Sequence, residues 1–199
     1  MRQSLYCEIN KEKPNSAALG AYNDNLGRET SQSSGKNIES FESKIINQKY
    51  ESAAVYVNGK EVFSKDGNSN SVSFSEQEAK QMKDGVLTHN HPQGRSFSYN
   101  DISTYVQTGL KEIRAVGVDL HDGNKYLYTL NGKFKGSEKD YKKAVSSYKR
   151  INEKYLNINS GKIRDNKMSI SEANAIHHHE VMTEFAQIHR LNYKRTKIN

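Results

Sequence analysis

The sequence predicts an α/β (α+β) fold over residues 37–135, with a polar flexible arm at 1–36 and a basic helical C-terminal extension at 136–199. Three observations lead there. Short apolar runs of period 2 are interleaved with segments of period 3.6. Two of the helical segments open on S-x-x-[DE] starts, Ser75 to Glu78 and Ser98 to Asp101. Beyond residue 136 the period stays helical over two long stretches.

The elements follow in chain order. Residues 1–36 are rich in Ser, Asn and Gly and contain only Leu5, Ile9, Leu19 and Leu26 among the large aliphatics, so no helical or strand stripe forms. Ile38, Phe41, Ile45 and Ile46 share one helical face, which predicts a helix from Asn37 to Gln48. Glu51 to Val57 reads as a strand, Asn58-Gly59 as a hairpin turn, and Lys60 to Ser64 as the returning strand. Ser71 to Phe74 alternates like a third strand. The Ser75 cap starts a helix to Asp84, Val86 to Thr88 is a short buried strand, and Ser98 starts a helix through Leu110. Glu112 to Val118 and Lys125 to Leu130 alternate as two further strands. In the extension, Tyr141, Ala144, Val145, Tyr148, Ile151 and Tyr155 stripe a helix from Glu138 to Leu156. Ile176, Val181, Met182, Phe185, Ile188 and Leu191 stripe another from Ser171 to Leu191. Asn192 to Lys197 reads as a solvated tail.

Composition excludes several classes. No run of about 18 apolar residues exists to cross a membrane as a helix. The opening MRQSLYCEINKEKPNS lacks the apolar stretch of a secretory signal, so the expected site of synthesis is the cytoplasm, with delivery to another cell or a virion left open. A single cysteine, Cys7, rules out an internal disulfide framework and a thiolate-rich metal site. The net charge of +7 permits an acidic or nucleic-acid partner without requiring one.

Chemistry concentrates in Thr88-His-Asn-His-Pro-Gln-Gly-Arg-Ser-Phe-Ser-Tyr-Asn-Asp101. Histidines at i and i+2 after an apolar strand point the same way as the chain leaves the sheet. Asp101 falls in the first turn of the following helix. Two imidazoles and one carboxylate leave a fourth position open, which is the donor set of a catalytic zinc site rather than a structural one. One zinc ion per chain is the expected cofactor. Such a site also needs a general base, commonly a carboxylate.

HNHPQGRSFSYNDI resembles the H-x-H-P…S-x-x-D signature of JAMM/MPN (JAB) metalloproteases, and is similar to the HNHPxG form of RadC-like and phage- or toxin-associated members. The resemblance spans Tyr50 to Leu130. It implies a cytidine-deaminase-like domain, a central mixed sheet flanked by helices. It implies that His89, His91 and Asp101 hold zinc, that Ser98 stabilises the tetrahedral intermediate, and that an upstream glutamate activates water. Glu51, at the head of the first strand, is favoured for that role over Glu61, in mid-strand after the turn. Six residues separate His91 from Ser98 where the better-known members have seven, while the offset from Ser98 to Asp101 is intact. The implied activity is hydrolysis of a peptide or isopeptide bond in a protein or peptide substrate, an isopeptide-linked modifier among the candidates. The alternatives are a catalytically quiet adaptor or phage accessory, and a RadC-like nucleic-acid-associated protein.

Two other runs stand out. Residues 133–167 carry 11 basic and 4 acidic residues, a surplus equal to the net charge of the whole chain. With Tyr141, Tyr148 and Tyr155 at a spacing of seven, they admit a nucleic-acid contact through Lys142, Lys143, Lys149 and Arg150, although a buried tyrosine stripe with solvated lysines is favoured. His177-His178-His179 cannot share one metal, because successive helical residues splay about 100° apart. The run is expected to be a solvated helix edge, and Asp119, His121 and Asp122 a hydrophilic loop. The oligomeric state is left open.

Overall fold

The computed structural model describes residues 34–132, 134 and 137–199. Its strands are β1 (Ser52–Val57), β2 (Lys60–Asp66), β3 (Val86–Asn90), β4 (Glu112–Val118), β5 (Lys125–Asn131) and β6 (Asn192–Ile198). Its helices are α1 (Ser34–Ile45), α2 (Glu76–Gln81), α3 (Tyr99–Thr108), α4 (Glu138–Arg164) and α5 (Ile170–His189). The strands form one six-stranded sheet in the order β2-β1-β3-β4-β5-β6. Only β3 and β4 run parallel, joined through α3, and every other neighbouring pair is antiparallel. A parallel pair needs such a crossover, and it leaves a crevice at the carboxyl end of β3.

The two faces of the sheet differ. Ala53, Val55, Leu87, Ile113, Ala115, Tyr128 and Leu130 join Tyr105 and Ile102 of α3, Tyr148 and Ile151 of α4, and Val181, Met182 and Phe185 of α5 in one buried cluster. On the other face Ile45 and Ile46 cover Val116. There the Glu42 carboxylate, buried on α1, accepts from Arg114 Nε (2.6 Å), Arg114 Nη2 (3.0 Å) and Thr88 Oγ1 (2.7 Å). The pair docks α1 across β3 and β4 by charge-assisted bonds, beside the apolar contact of Ile45 and Ile46.

Three expectations change. Ser71 to Phe74 is not a strand. The Asn68 side chain accepts from Asn70 N–H (2.8 Å) and Ser71 Oγ (3.2 Å), which turns the chain away from the sheet edge. Val72 and Phe74 still bury, Phe74 against Phe63, so their alternation reports burial without pairing. The 192–197 tail is not a solvated end. It forms β6, paired along β5 from Asn131↔Asn192 to Lys125↔Ile198, with Lys194 and Lys197 facing out as befits an edge strand. Within residues 136–199, α4 and α5 supply Ala144, Tyr148, Ile151, Val181, Met182 and Phe185 to the main core. Helix α4 runs on to Arg164, past the expected Leu156, and Asn159 there donates to Glu180 of α5 (2.8 Å). Cys7 and the arm through residue 33 lie outside the described residues, while residues 34–36 open α1.

Candidate metal centre

Strand alternation puts Leu87 and His89 on the helix-rich face of β3, with Thr88 and Asn90 on the other. His91 follows one step past the strand end. Its N–H donates to the Val116 carbonyl (2.8 Å), and its carbonyl accepts from Gly94 N–H (2.8 Å), closing a tight turn. Gly94 has φ +68°, and a Cβ there would lie 2.2 Å from the Val118 carbonyl oxygen, so only glycine fits against β4. The turn returns the chain to Ser98, the N-cap of α3.

Asp101 is both cap and candidate ligand. As the N3 residue of a capping box, its Oδ2 accepts from Ser98 N–H (2.6 Å) and Ser98 Oγ (2.7 Å). Oδ1 lies 3.1 Å from His89 Nε2, and Oδ2 lies 3.4 Å from His91 Nε2. The two Nε2 atoms are 2.9 Å apart. His91 Nδ1–H donates to the Arg95 carbonyl (2.7 Å), which fixes the tautomer that turns the Nε2 lone pair inward. His89 Nδ1 is buried and has no hydrogen-bond partner among the described residues. Donor atoms of all three residues lie within 4.8 Å of one another, so His89, His91 and Asp101 can hold a metal ion.

The electrostatics call for a cation at this point. Burial alone would lower the His91 pKa, but the Asp101 carboxylate, with help from Glu51, raises it to about 9. Burial alone would raise Asp101, yet His89 and His91 hold it well below the usual carboxylate range. Three lone-pair donors with a net demand for positive charge suit a metal cation.

Glu51 precedes β1 and lines the same cavity as the three donors. Burial pushes its carboxyl above the ordinary value, a shift moderated by His91 and His89 and reinforced by Asp101. Glu61 lies elsewhere: it is exposed on β2, accepting from Tyr56 OH (3.1 Å) and Ser64 Oγ (2.8 Å). Asn90, between the two histidines, brackets Glu51. Its fully buried amide accepts from Ser52 N–H (2.7 Å) and donates to the Tyr50 carbonyl (2.9 Å). The peptide groups on either side of Glu51 are thereby tied to the ligand strand. Sequence reading gave Asn90 no role, because it placed the residue in the loop after Thr88, whereas β3 runs on to Asn90.

The cavity has a volume of about 490 Å³. Leu87, Ala53 and Met82 are apolar lining, and the 69–75 segment together with Asn100, Ser103, Thr104 and Gln107 of α3 supplies uncharged hydrogen-bonding side chains. His178 reaches it from α5.

The histidine run is therefore not a solvated edge. His177 Nε2 meets Asn152 Oδ1 (2.9 Å), His179 Nδ1 meets Tyr193 OH (2.9 Å), and His178 Nδ1 lies 3.4 Å from Tyr148 OH. Asp119, His121 and Asp122 do form a hydrophilic loop, in which Asp119 is buried and paired with Arg195 of β6 (3.0 Å). Lys142, Lys143, Lys149 and Arg150 are exposed on α4. Lys142 pairs with Glu138, and Lys149 stands 5.2 Å over the Tyr99 ring. Tyr148 is buried, and Tyr141 and Tyr155 pack against the core, as the stripe predicted. Among the described residues no helix is long and apolar enough to cross a membrane. The chain matches no family model, no curated protein and no solved structure, so its own geometry carries the functional reading.

Proposed function

We propose that this chain is a zinc-dependent hydrolase of the JAMM type that cleaves an amide bond in a protein or peptide, an isopeptide bond included. The observation that carries the reading is the convergence of His89, His91 and Asp101 on one point with Glu51 in the same cavity. Two imidazoles and a carboxylate are the donor set of a zinc site with an open position. When bound, zinc supplies the acidity that makes water nucleophilic at neutral pH, and it polarises the scissile carbonyl.

The remaining work belongs to the chain. Glu51, its carboxyl raised by burial, takes a proton from the attacking water and delivers it to the departing nitrogen. Asn90 holds the backbone around Glu51, which keeps that residue in the cavity the donors share. Ser98 spends its hydroxyl on Asp101 Oδ2, which favours a ligand-orienting role over direct stabilisation of the intermediate. Uncharged hydroxyl and amide side chains along the cavity suit the alternating N–H and C=O groups of an extended chain.

Metal analysis tests this reading. Purified wild type should hold about one zinc per chain, Asp101→Asn far less, and Glu51→Gln as much as wild type, because Glu51 is base and not ligand. A wild type that holds no more zinc than Asp101→Asn sinks the assignment.

A further inference from the structure

The three histidines of α5 are not equivalent. His177 is turned to Asn152 on α4 and His179 to Tyr193 on β6. His178 lines the cavity that holds His89, His91, Asp101 and Glu51, and it is the one residue of α4, α5 or β6 that does so.

Its protonation follows from counting hydrogens. Tyr148 has one hydroxyl hydrogen, and it donates that to the Phe97 carbonyl (3.1 Å). The Tyr148 oxygen, 3.4 Å from His178 Nδ1, is then left to accept, so Nδ1 carries the imidazole hydrogen. The ring meets both Tyr148 OH and the Phe97 carbonyl, neither residue lines the cavity, and the edge left to face it is the opposite one, which bears Nε2. No side-chain hydrogen bond reaches Nε2 among the described residues, and it is not among the buried atoms sealed off without a partner. The ring is also neutral at physiological pH. Burial, then the neighbouring His177, His91 and Arg95, push its pKa down to about 4, against a hydrogen bond to the Phe97 carbonyl that raises it.

We propose that His178 is a further residue of this site, a substrate-positioning imidazole whose Nε2 accepts a hydrogen bond from an N–H of the molecule bound beside the metal donors. The class of ligand it selects is an amide or hydroxamide that keeps its N–H, as against an ester or an N-alkylated amide. The inference rests on the zinc-hydrolase reading for the ligand's anchor but adds a residue from outside the segment that suggested that reading. A neutral acceptor fits this position better than an imidazolium, which would repel a bound cation. The cost of leaving a built acceptor unpaired is what lets such a site reject a ligand without the donor.

The test uses two small chelators on the zinc-loaded full chain. Acetohydroxamate and N-methylacetohydroxamate both grip zinc through two oxygens, and only the first keeps an N–H. Calorimetric affinities at pH 7 are compared for wild type, His178→Ala and His178→Gln. Wild type should prefer the N–H probe over its methylated analogue by about five- to tenfold more than His178→Ala does. His178→Gln, which retains an acceptor oxygen and most of the volume, should recover part of that preference and guards against a folding defect. The same preference in all three proteins overturns the inference and leaves the metal centre standing. Failure of both chelators to bind zinc-loaded wild type overturns the open coordination position and this inference with it, whereas a wild type that takes up no zinc overturns the metal centre itself.

Discussion

His89, His91 and Asp101 lie within residues 89–101 and are set by short hydrogen bonds: the capping box of Ser98, the Arg95 carbonyl on His91, and the turn locked at Gly94. His178 approaches the same cavity on a helix held by apolar contacts, with Val181, Met182 and Phe185 fully buried beneath it. One half of the site is thus specified locally, and the other is placed by the core. The difference sets where each half is vulnerable. Local hydrogen bonds fail one residue at a time, whereas a packed wall fails together with the fold.

The sharpest way to break this comparison is at Phe185. It is fully buried and sits against Tyr148, Phe134 and His189. Phe185→Ala should cost about 3–5 kcal/mol, the usual price of a buried phenylalanine cavity. Denaturant unfolding followed by far-ultraviolet circular dichroism should show one shifted transition. A variant in which α4 and α5 melt in a separate early step while the sheet stays at its wild-type midpoint would show the C-terminal wall to be an appendage after all.

The ligand half responds instead to pH and metal. His91 is raised to about 9 by Asp101, despite burial, so in the metal-free chain it binds a proton more tightly than an unfolded histidine does. A raised histidine contributes stability that is complete below about pH 6.5 and is lost as pH climbs through about 9. The lowered pKa of Asp101 is the same interaction seen from its partner and is not counted again. Metal-free wild type should therefore lose up to about 3 kcal/mol between those pH values. Asp101→Asn should flatten the dependence, and so should zinc, which needs the neutral imidazole. A metal-free profile that rises across this window would contradict the charge arrangement.

The same division explains what the sequence disclosed. Residues 86–101 could be read because each signal is local: a short apolar strand from Val86 runs into the two histidines, Ser98 and Asp101 stand at capping distance, and glycine marks the turn. Glu51 was nominated only through the family resemblance, since nothing near it in the sequence ties it to residue 89; the β1–β3 register that brings the two segments together begins beyond it, at Ala53↔His89. Asn90 was hidden because its hydrogen bonds cross between strands 40 residues apart in the chain. His178 was hidden by its neighbours, as three adjacent histidines give no sign of which one faces inward. Strand β6 was hidden by its charges, which face solvent on an edge while Tyr193 and Arg195 turn in to Ser96, His179 and Asp119.

The smallest effect separates two roles of one hydroxyl. Ser98 Oγ donates to Asp101 Oδ2 at 2.7 Å and accepts from Asp101 N–H at a long 3.4 Å, so it serves the ligand more strongly than the helix. Ser98→Ala should therefore cost only about 1 kcal/mol of stability, near the middle of the range for a lost cap. Its zinc affinity should fall about 10- to 100-fold, the usual toll for an outer partner of a ligand. Ser98→Thr keeps the hydroxyl and should restore both. The pair of measurements, thermal midpoint and zinc competition against a chelator, distinguishes the roles because they need not move together. Full zinc affinity with a lowered midpoint would make Ser98 a cap alone, and the Asp101 carboxylate would then owe its orientation to the Ser98 backbone N–H at 2.6 Å.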